Sequence, residues 1–500
     1  MTGTADAARR RRWWTRALVV VLALLVLAGG AAAVWWWDRT HQGQAMPIPG
    51  DLADGEGTGV SSPPPASSSP RTVVPGDARF VAEVSDDGRY FVDQLGDPVL
   101  VRGDSPWSLL VDTTPEQATT FLENRRQAGV DALIVSLLGA TGNGGPADDG
   151  STVDGLRPFV DGDVLTWEPD YWDRAHDVLA AAAERGITVF LYAVDGWTID
   201  RSFVPGSVAE CRAYGEQVGS WSADLPNIVW MTGGDYFPAT DDLAAGSDVD
   251  RCFAAVADGV RATGGDRPFS IQLGYPVSAS RDNPFWAPRV DFDFVYTYAP
   301  TFAAVRAAYD RTPAMPALFA EGNYERENND GASPPTTNET LRRQAAWALT
   351  SGSPGDFYGS DDWEFLDGWE ARLDSPGLDQ VGVVRDTVAS TPWWRLRPDL
   401  GDRLVVSGRG SGTAPDDADV LDADLVTAAV TDDGGHAVVY VPTEREIGLD
   451  LSVLAPGATA TWVDPSDGTE VAAELADRLR TPGVNADGGG DWLLVVGPGT

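Results

Sequence analysis

Histidine is nearly absent from the chain, with only His41, His176 and His436 in 500 residues. Zinc and related metals need several imidazoles or thiolates converging on one point. Three dispersed histidines argue against such a site, and loops rich in aspartate such as 248–250 offer only an unspecific place for Ca2+. Cysteine is equally scarce. Cys211 and Cys252 are the only two, and both fall in helical stretches flanking the fourth expected strand. They could form one disulfide in an oxidising compartment or remain two buried thiols. Basic residues are also few, 36 Lys and Arg against 75 Asp and Glu, for a net charge of -39. Nucleic acid is excluded as a partner on that balance, because its phosphates call for a basic surface. No glycine-rich dinucleotide fingerprint follows a strand, and no cofactor is implied.

Apolar residues are not scarce, at 43%, and a chain of this length exceeds one ordinary core. Arg9 to Arg12 precede an apolar run from Ala17 that ends in Trp35, Trp36 and Trp37. Residues 1–16 thus read as a cytoplasmic basic tail and 17–37 as a transmembrane signal anchor, which would place the rest outside a cell membrane crossed once. Ala31 to Ala33 offer the alternative of a cleaved signal peptide and a secreted product. Residues 38–77, rich in Pro, Ser and Gly, read as a disordered linker.

Residues 78–400 alternate short apolar runs with helical stretches. After a lead-in hairpin at 80–84 and 90–93, strands are expected at 99–102, 132–136, 188–192, 228–231, 269–273, 294–297, 317–320 and 356–358. Helices are marked by starts such as Thr114-Pro115-Glu116, with the weakest candidate, Asn283 to Arg289, between strands 5 and 6. Eight such units predict an α/β chain, a (β/α)8 TIM barrel. From 401 to 500 the pattern becomes short alternating strands, which predicts a small all-β sandwich.

In a barrel of this kind the C-terminal strand ends share one face, where catalytic groups collect. Strand 4 runs into Thr232-Gly-Gly-Asp235 and strand 7 into Ala320-Glu321, placing one carboxylate at each end. A retaining glycosidase needs such a pair, one to protonate the leaving oxygen and one to attack the anomeric carbon. Asp235 is assigned as acid/base and Glu321 as nucleophile, with Glu325 as the fallback. The bland reading has Asp235 capping a turn and Glu321 pairing with an Arg such as Arg326. Other strand ends supply a sugar pocket: Asp104 and Trp107, Asp195 and Trp197, Tyr275, Tyr296 and Tyr298, Asp362 and Trp363. A serine hydrolase built on Ser105 with Asp433 and His436 is disfavoured, since Pro106 follows the serine where an oxyanion-hole amide is needed.

Taken together, these segments resemble the apiosidase-like glycoside hydrolases. The resemblance is carried by Phe91-Val-Asp93, Gly103-Asp-Ser-Pro-Trp107, Trp230-Met-Thr-Gly-Gly-Asp235, Glu321-Gly-Asn-Tyr-Glu325, Arg343-Gln-Ala-Ala-Trp347 and Phe357-Tyr-Gly359. In the tail it continues through Ala460-Thr-Trp-Val-Asp-Pro465 and Asp491-Trp-Leu-Leu-Val495. It implies a (β/α)8 catalytic domain with a C-terminal β-domain labelled collagen-binding, and a retaining mechanism in which Asp235 and Glu321 take the same two roles. Relatives are implied to remove apiose from plant pectin. This chain has Tyr275-Pro276 where they often have His-Pro, and Thr297-Tyr298 where they carry Gln and His, so the reaction type is carried over and apiose is not. The partner expected is an oligo- or polysaccharide from which a pentose or related sugar is cleaved. A non-catalytic carbohydrate- or matrix-binding surface protein on the same scaffold is the alternative.

Overall fold

A computed structural model describes residues 76, 78–139, 150–199, 201–236, 246–274, 277–327, 336–416 and 418–499. Eight parallel strands form the barrel: β1 (Val101–Asp104), β2 (Ala132–Ser136), β3 (Thr188–Asp195), β4 (Ile228–Tyr236), β5 (Phe269–Leu273), β6 (Asp293–Thr297), β7 (Ala317–Glu321) and β8 (Gly355–Tyr358). The ladder runs from β5 down to β1, crosses to β8 and continues through β7 to β6. Nearly every strand residue is buried. That explains their continuous apolar character, since one face meets the barrel interior and the other the helices.

The crossover helices are α1 (Pro115–Gln127), α2 (Pro169–Glu184), α3 (Val208–Trp221), α4 (Asp248–Gly264), α5 (Phe302–Tyr309), α6 (Asn338–Thr350) and α7 (Pro376–Ala389). Local chemistry fixes their starts. Thr114 and Gln117 form a reciprocal capping box with Pro115 at the first helical position, and Asp250 does the same for α4 with Ser247. Asp250 also accepts from Trp286 Nε1 at 2.7 Å, so its carboxylate serves the fold. Cys211 of α3 and Cys252 of α4 form a disulfide with Cα atoms 5.3 Å apart.

The helix expected at 283–289 does not form. Pro284 and Pro288 deny it backbone donors, and the link between β5 and β6 is instead a short strand, Val277–Ala279, antiparallel to β6. The Ser280 hydroxyl closes the seam, donating to Ile271 O at 2.6 Å and accepting from Phe294 N at 2.8 Å.

Two further layers flank the barrel. Short antiparallel strands at Glu83–Val84, Phe91–Val92 and Pro98–Val99 cover its N-terminal end, where the Phe91 and Phe292 rings meet edge to face at 5.2 Å. After the barrel comes an antiparallel sheet of six strands, in spatial order Leu396–Pro398, Thr427–Thr431, Ala437–Val441, Trp492–Pro498, Ala458–Val463 and Glu470–Ala473. A second sheet of three, Val405–Ser407, Glu446–Leu449 and Arg478–Arg480, shares its apolar core. The first of these strands begins at 396, just ahead of the boundary expected at 400. Helix α6 joins barrel to sheets. Trp347 Nε1 donates to Leu425 O at 2.8 Å, and Arg342 grips Asp491 at 2.9 Å with both side chains fully buried.

The placement at a cell membrane is corrected. No helix among the described residues is long and apolar enough to cross a bilayer, since charged residues interrupt their apolar ones, as in Pro169–Glu184. The anchor argued for 17–37 and most of the linker at 38–77 lie outside the described residues.

Candidate active site

Asp235 reaches the barrel mouth through an irregularity in β4. Thr232 pairs with Ile271 and Tyr236 with Leu273, so Gly233, Gly234 and Asp235 all stand opposite Gln272 alone. The looped-out segment has positive φ throughout: 98° at Gly233, 67° at Gly234 and 51° at Asp235. A Cβ on Gly233 would lie 2.0 Å from Gln272 O, so only glycine fits there. A left-handed aspartate is uncommon, and such conformations concentrate at functional sites. The Tyr296 hydroxyl bonds to the Asp235 carboxylate and lies 2.6 Å from the Tyr298 hydroxyl, while Asp235 Oδ1 is buried without a partner among the described residues. Burial pushes the Asp235 carboxyl up to about 6, against a lowering by the Tyr296 bond.

Glu321 ends β7 and is 6% exposed. Gln272 Nε2 donates to its Oε2, and Tyr324 supplies a second hydrogen bond. Both donors are themselves held. The Tyr192 hydroxyl donates to Gln272 Oε1 at 2.7 Å, which turns the amide so that its NH2 faces Glu321. Trp107 Nε1 donates to the Tyr324 hydroxyl at 2.8 Å. Burial raises the Glu321 carboxyl well above its usual range, the charges of Asp235 and Glu327 raise it further, and the bonds from Tyr324 and Gln272 oppose them. Among the described residues, no Arg is a main influence on either carboxylate. Two buried acids that share one field cannot both ionise cheaply.

The other residues expected at the mouth divide by chemistry. Trp107, Trp197, Tyr296, Tyr298 and Trp363 come together on one apolar cluster that fills the barrel interior and rises to its mouth. The carboxylates are spent on the scaffold. Asp104 pairs with Arg125 at 2.5 Å. Asp195, pushed up to about 6 by burial, accepts from Ser136 Oγ at 2.5 Å and from the Trp197 and Thr198 amides at 2.9 Å. Asp362 lies between Arg326, at 2.7 Å, and Arg372. Glu325 accepts from the Tyr358 hydroxyl at 2.5 Å and from Ser375. Arg326, offered above as a partner for Glu321, pairs with Glu325, Asp361 and Asp362. Tyr275 lies outside the described residues.

Four residues at this centre escaped the sequence reading: Tyr192, Gln272, Tyr324 and Glu327. Glu327 is raised to about 7 by burial first, with Asp235 among the charges that add to it, and takes a long 3.5 Å contact from Trp363 Nε1. Gln272 carried a signal, being a long polar side chain inside a wholly buried strand. Glu327 carried none. As for the serine alternative, His436 sits at the turn between two strands of the C-terminal sheet, its backbone tied to Thr431, and Asp433 pairs with Arg395 at 2.7 Å.

Among solved structures, one described as a glycoside hydrolase is 20% identical, with a TM-score of 0.70 over 84% of this chain and 97% of its own. A glycoside hydrolase family 5 protein from Bacteroides vulgatus is 21% identical, with a TM-score of 0.70 over 84% of this chain and 94% of its own. At these identities the likeness is one of fold. No curated protein matches the chain. The family model for the apiosidase-like catalytic domain matches residues 85–395. That match stops short of the C-terminal sheets, so collagen binding is not carried over to them. It spans more than half of the 500 residues, and on that match the chain belongs to the apiosidase-like family and is a glycoside hydrolase.

Proposed function

We propose that the chain is a retaining glycosidase that removes a pentose or related sugar from a polysaccharide, with Glu321 as nucleophile and Asp235 as acid/base. One observation carries the reading: carboxylates end both β4 and β7, and the charge of Asp235 raises the buried Glu321, with no Arg among the main influences on either. In the first step Glu321 attacks the anomeric carbon while Asp235 gives its proton to the departing oxygen. Esterification removes the charge of Glu321, which lowers the proton affinity of Asp235. Asp235 can then act as base on the water that releases the sugar. Gln272 and Tyr324 favour the charged form of Glu321, whereas burial favours its neutral form. The aromatic rim formed by Trp107, Trp197, Tyr298 and Trp363 supports a sugar ring as the group bound.

Glu321→Gly should be tested with azide and aryl pentosides bearing a good leaving group, including apiosides, arabinofuranosides and xylosides. A glycosyl azide of inverted anomeric configuration is expected from this variant, and one of retained configuration from Asp235→Gly. Turnover at the wild-type rate in Glu321→Gly would remove the assignment.

A further inference from the structure

The turn that follows β7 carries a third acid to the barrel mouth. Beyond β7 the chain runs on beside the continuation of β8, with Glu325 N donating to Gly359 O at 2.8 Å and Asp361 N to Glu325 O at 3.0 Å. It then turns back on itself. Glu327 N donates to Tyr324 O at 3.1 Å across Arg326, which holds a left-handed φ of 66°. A bond of that span folds residue 327 back beside residue 324, and Tyr324 is the residue whose hydroxyl bonds to Glu321. Thr336 N closes the far side, donating to Glu327 O at 3.0 Å.

The Glu327 side chain is placed for contact with a ligand. Asp104, Asp195 and Glu325 are buried on their scaffold partners, whereas Glu327, like Asp235, is partly exposed. Arg326, its neighbour in sequence, is engaged elsewhere, holding Asp361 and Asp362 at 2.7 Å and reaching Glu325 at 3.5 Å. Trp363 Nε1 approaches Glu327 Oε1 at 3.5 Å, so the carboxylate lies at the edge of an indole that packs, partly exposed, on the mouth cluster. The charge of Glu327 is felt by Glu321, Tyr298 and Tyr324, and that of Asp235 reaches Glu327 in turn. Glu327 thus borders the same mouth as Asp235 and Glu321. An aromatic face with a carboxylate at its edge suits a sugar. The C–H face of the sugar packs on the indole, and the carboxylate, with lone pairs on two oxygens, accepts from two hydroxyls at once.

We propose that Glu327 is a substrate-binding residue that accepts hydrogen bonds from two neighbouring hydroxyls of the sugar held against Trp363, and so selects glycosides in which both are free. The proposal rests on the reading of this mouth as the place where a glycosidic bond is cleaved, and not on which of Asp235 and Glu321 attacks.

The test is kinetic. Wild type, Glu327→Gln and Glu327→Ala are compared on the aryl glycoside cleaved fastest among those of apiose, arabinofuranose, xylose and glucose, and on its monodeoxy analogues. The intrinsic reactivity of each analogue cancels when the enzymes are compared. In wild type, kcat/KM should fall roughly tenfold to a hundredfold when a contacted hydroxyl is missing. Glu327→Ala should lose a similar factor on the parent glycoside and little more on that analogue, so the penalty for the missing hydroxyl disappears. Glu327→Gln, which keeps one acceptor oxygen, should fall between. The same penalty at every hydroxyl in wild type and Glu327→Ala would overturn the proposal. Rescue of Glu327→Ala by azide, with formation of a glycosyl azide, would make Glu327 a reacting acid and overturn it too. Retained turnover in Glu321→Gly would instead sink the roles given to the pair, and the hydroxyl comparison on Glu327 would still decide this proposal. Thermal unfolding separates out a scaffold role. Glu327→Ala should melt at or above the wild-type temperature, and a loss of several degrees would place Glu327 with Glu325 among the acids that hold the loops and overturn the proposal as well.

Discussion

Asp491 and Glu321 are both buried acids, one at the junction of α6 with the C-terminal sheets and one at the barrel mouth, and they are housed in opposite ways. Asp491 is 0% exposed and receives a bidentate grip from Arg342 at 3.0 and 2.9 Å, with Asn485 Nδ2 at 2.7 Å and the Tyr440 hydroxyl at 3.3 Å. Glu321 has two neutral donors and two other carboxylates, Asp235 and Glu327, in its field. Burial is common to both, so burial alone does not tell them apart. The difference lies in charge compensation, which is complete at the junction and withheld at the mouth.

The comparison breaks most sharply on Glu321→Ala. If the mouth is arranged for reaction, hydrolysis should fall on the order of 10⁴-fold or more. The melting temperature should stay level or rise, because one of several repelling buried acids is gone. Aryl glycoside kinetics and thermal unfolding on the same preparation check both halves. A variant that loses stability and keeps activity would place Glu321 with Asp491 among structural acids.

Asp491→Ala should do the reverse. Removing it strands Arg342, whose other partners are Asp487 at 2.7 Å, Gln380 at 2.7 Å and Glu339 at 3.8 Å, and the loss should be about 3–5 kcal/mol in urea unfolding. Turnover per folded molecule, measured well below the melting temperature, should be unchanged. A loss below about 1 kcal/mol would show that Asp487 and Gln380 satisfy Arg342 without it.

Much of this contrast could not be read along the chain. The eight strands were legible because buried parallel strands are continuous apolar runs, and the aromatic residues of the mouth were legible because they follow those runs. The partners of the mouth carboxylates were not. Arg125 is 21 residues from Asp104, Ser136 is 59 from Asp195 and Ser375 is 50 from Glu325. Asp104, Asp195 and Glu325 therefore read as free acceptors until the fold supplied their donors. The same limit hid the strands Glu470–Ala473 and Arg478–Arg480, whose residues are mostly exposed. Their pairing comes from distant neighbours rather than from their own pattern. Asp235 and Glu321 were legible because sequence shows strand ends well, and the absence of an ion pair to either among the described residues emerged only in three dimensions.

A third, smaller effect concerns Gln272. Its amide is held by Tyr192 and faces Glu321, so Gln272→Ala should lower kcat by roughly 10- to 100-fold, the worth of one hydrogen bond to a charged group. KM should change little if the bond matters chiefly as Glu321 reacts. Tyr192→Phe should give a weaker version of the same split, because it releases the amide without removing it. A rise in KM with kcat intact would make Gln272 a sugar-binding group instead.

The smallest effect is on stability against pH, and its sign follows from the direction of the Asp235 shift. The carboxyl is raised from 3.8 to about 6 by burial. Below pH 4 it is protonated in both the folded and unfolded chain and contributes nothing. Between pH 4 and 6 the unfolded chain releases the proton while the folded chain keeps it, so the folded state loses ground as pH rises, and above about pH 6 the penalty is constant. Asp235→Asn removes that penalty. The stability difference between variant and wild type should therefore open in favour of the variant from pH 4 to 6 and level off above that, as urea unfolding at several pH values would show. A difference flat across this window would mean that Asp235 ionises in the folded chain as it does in water. The mouth would then lack the uncompensated charge that sets it apart from the junction.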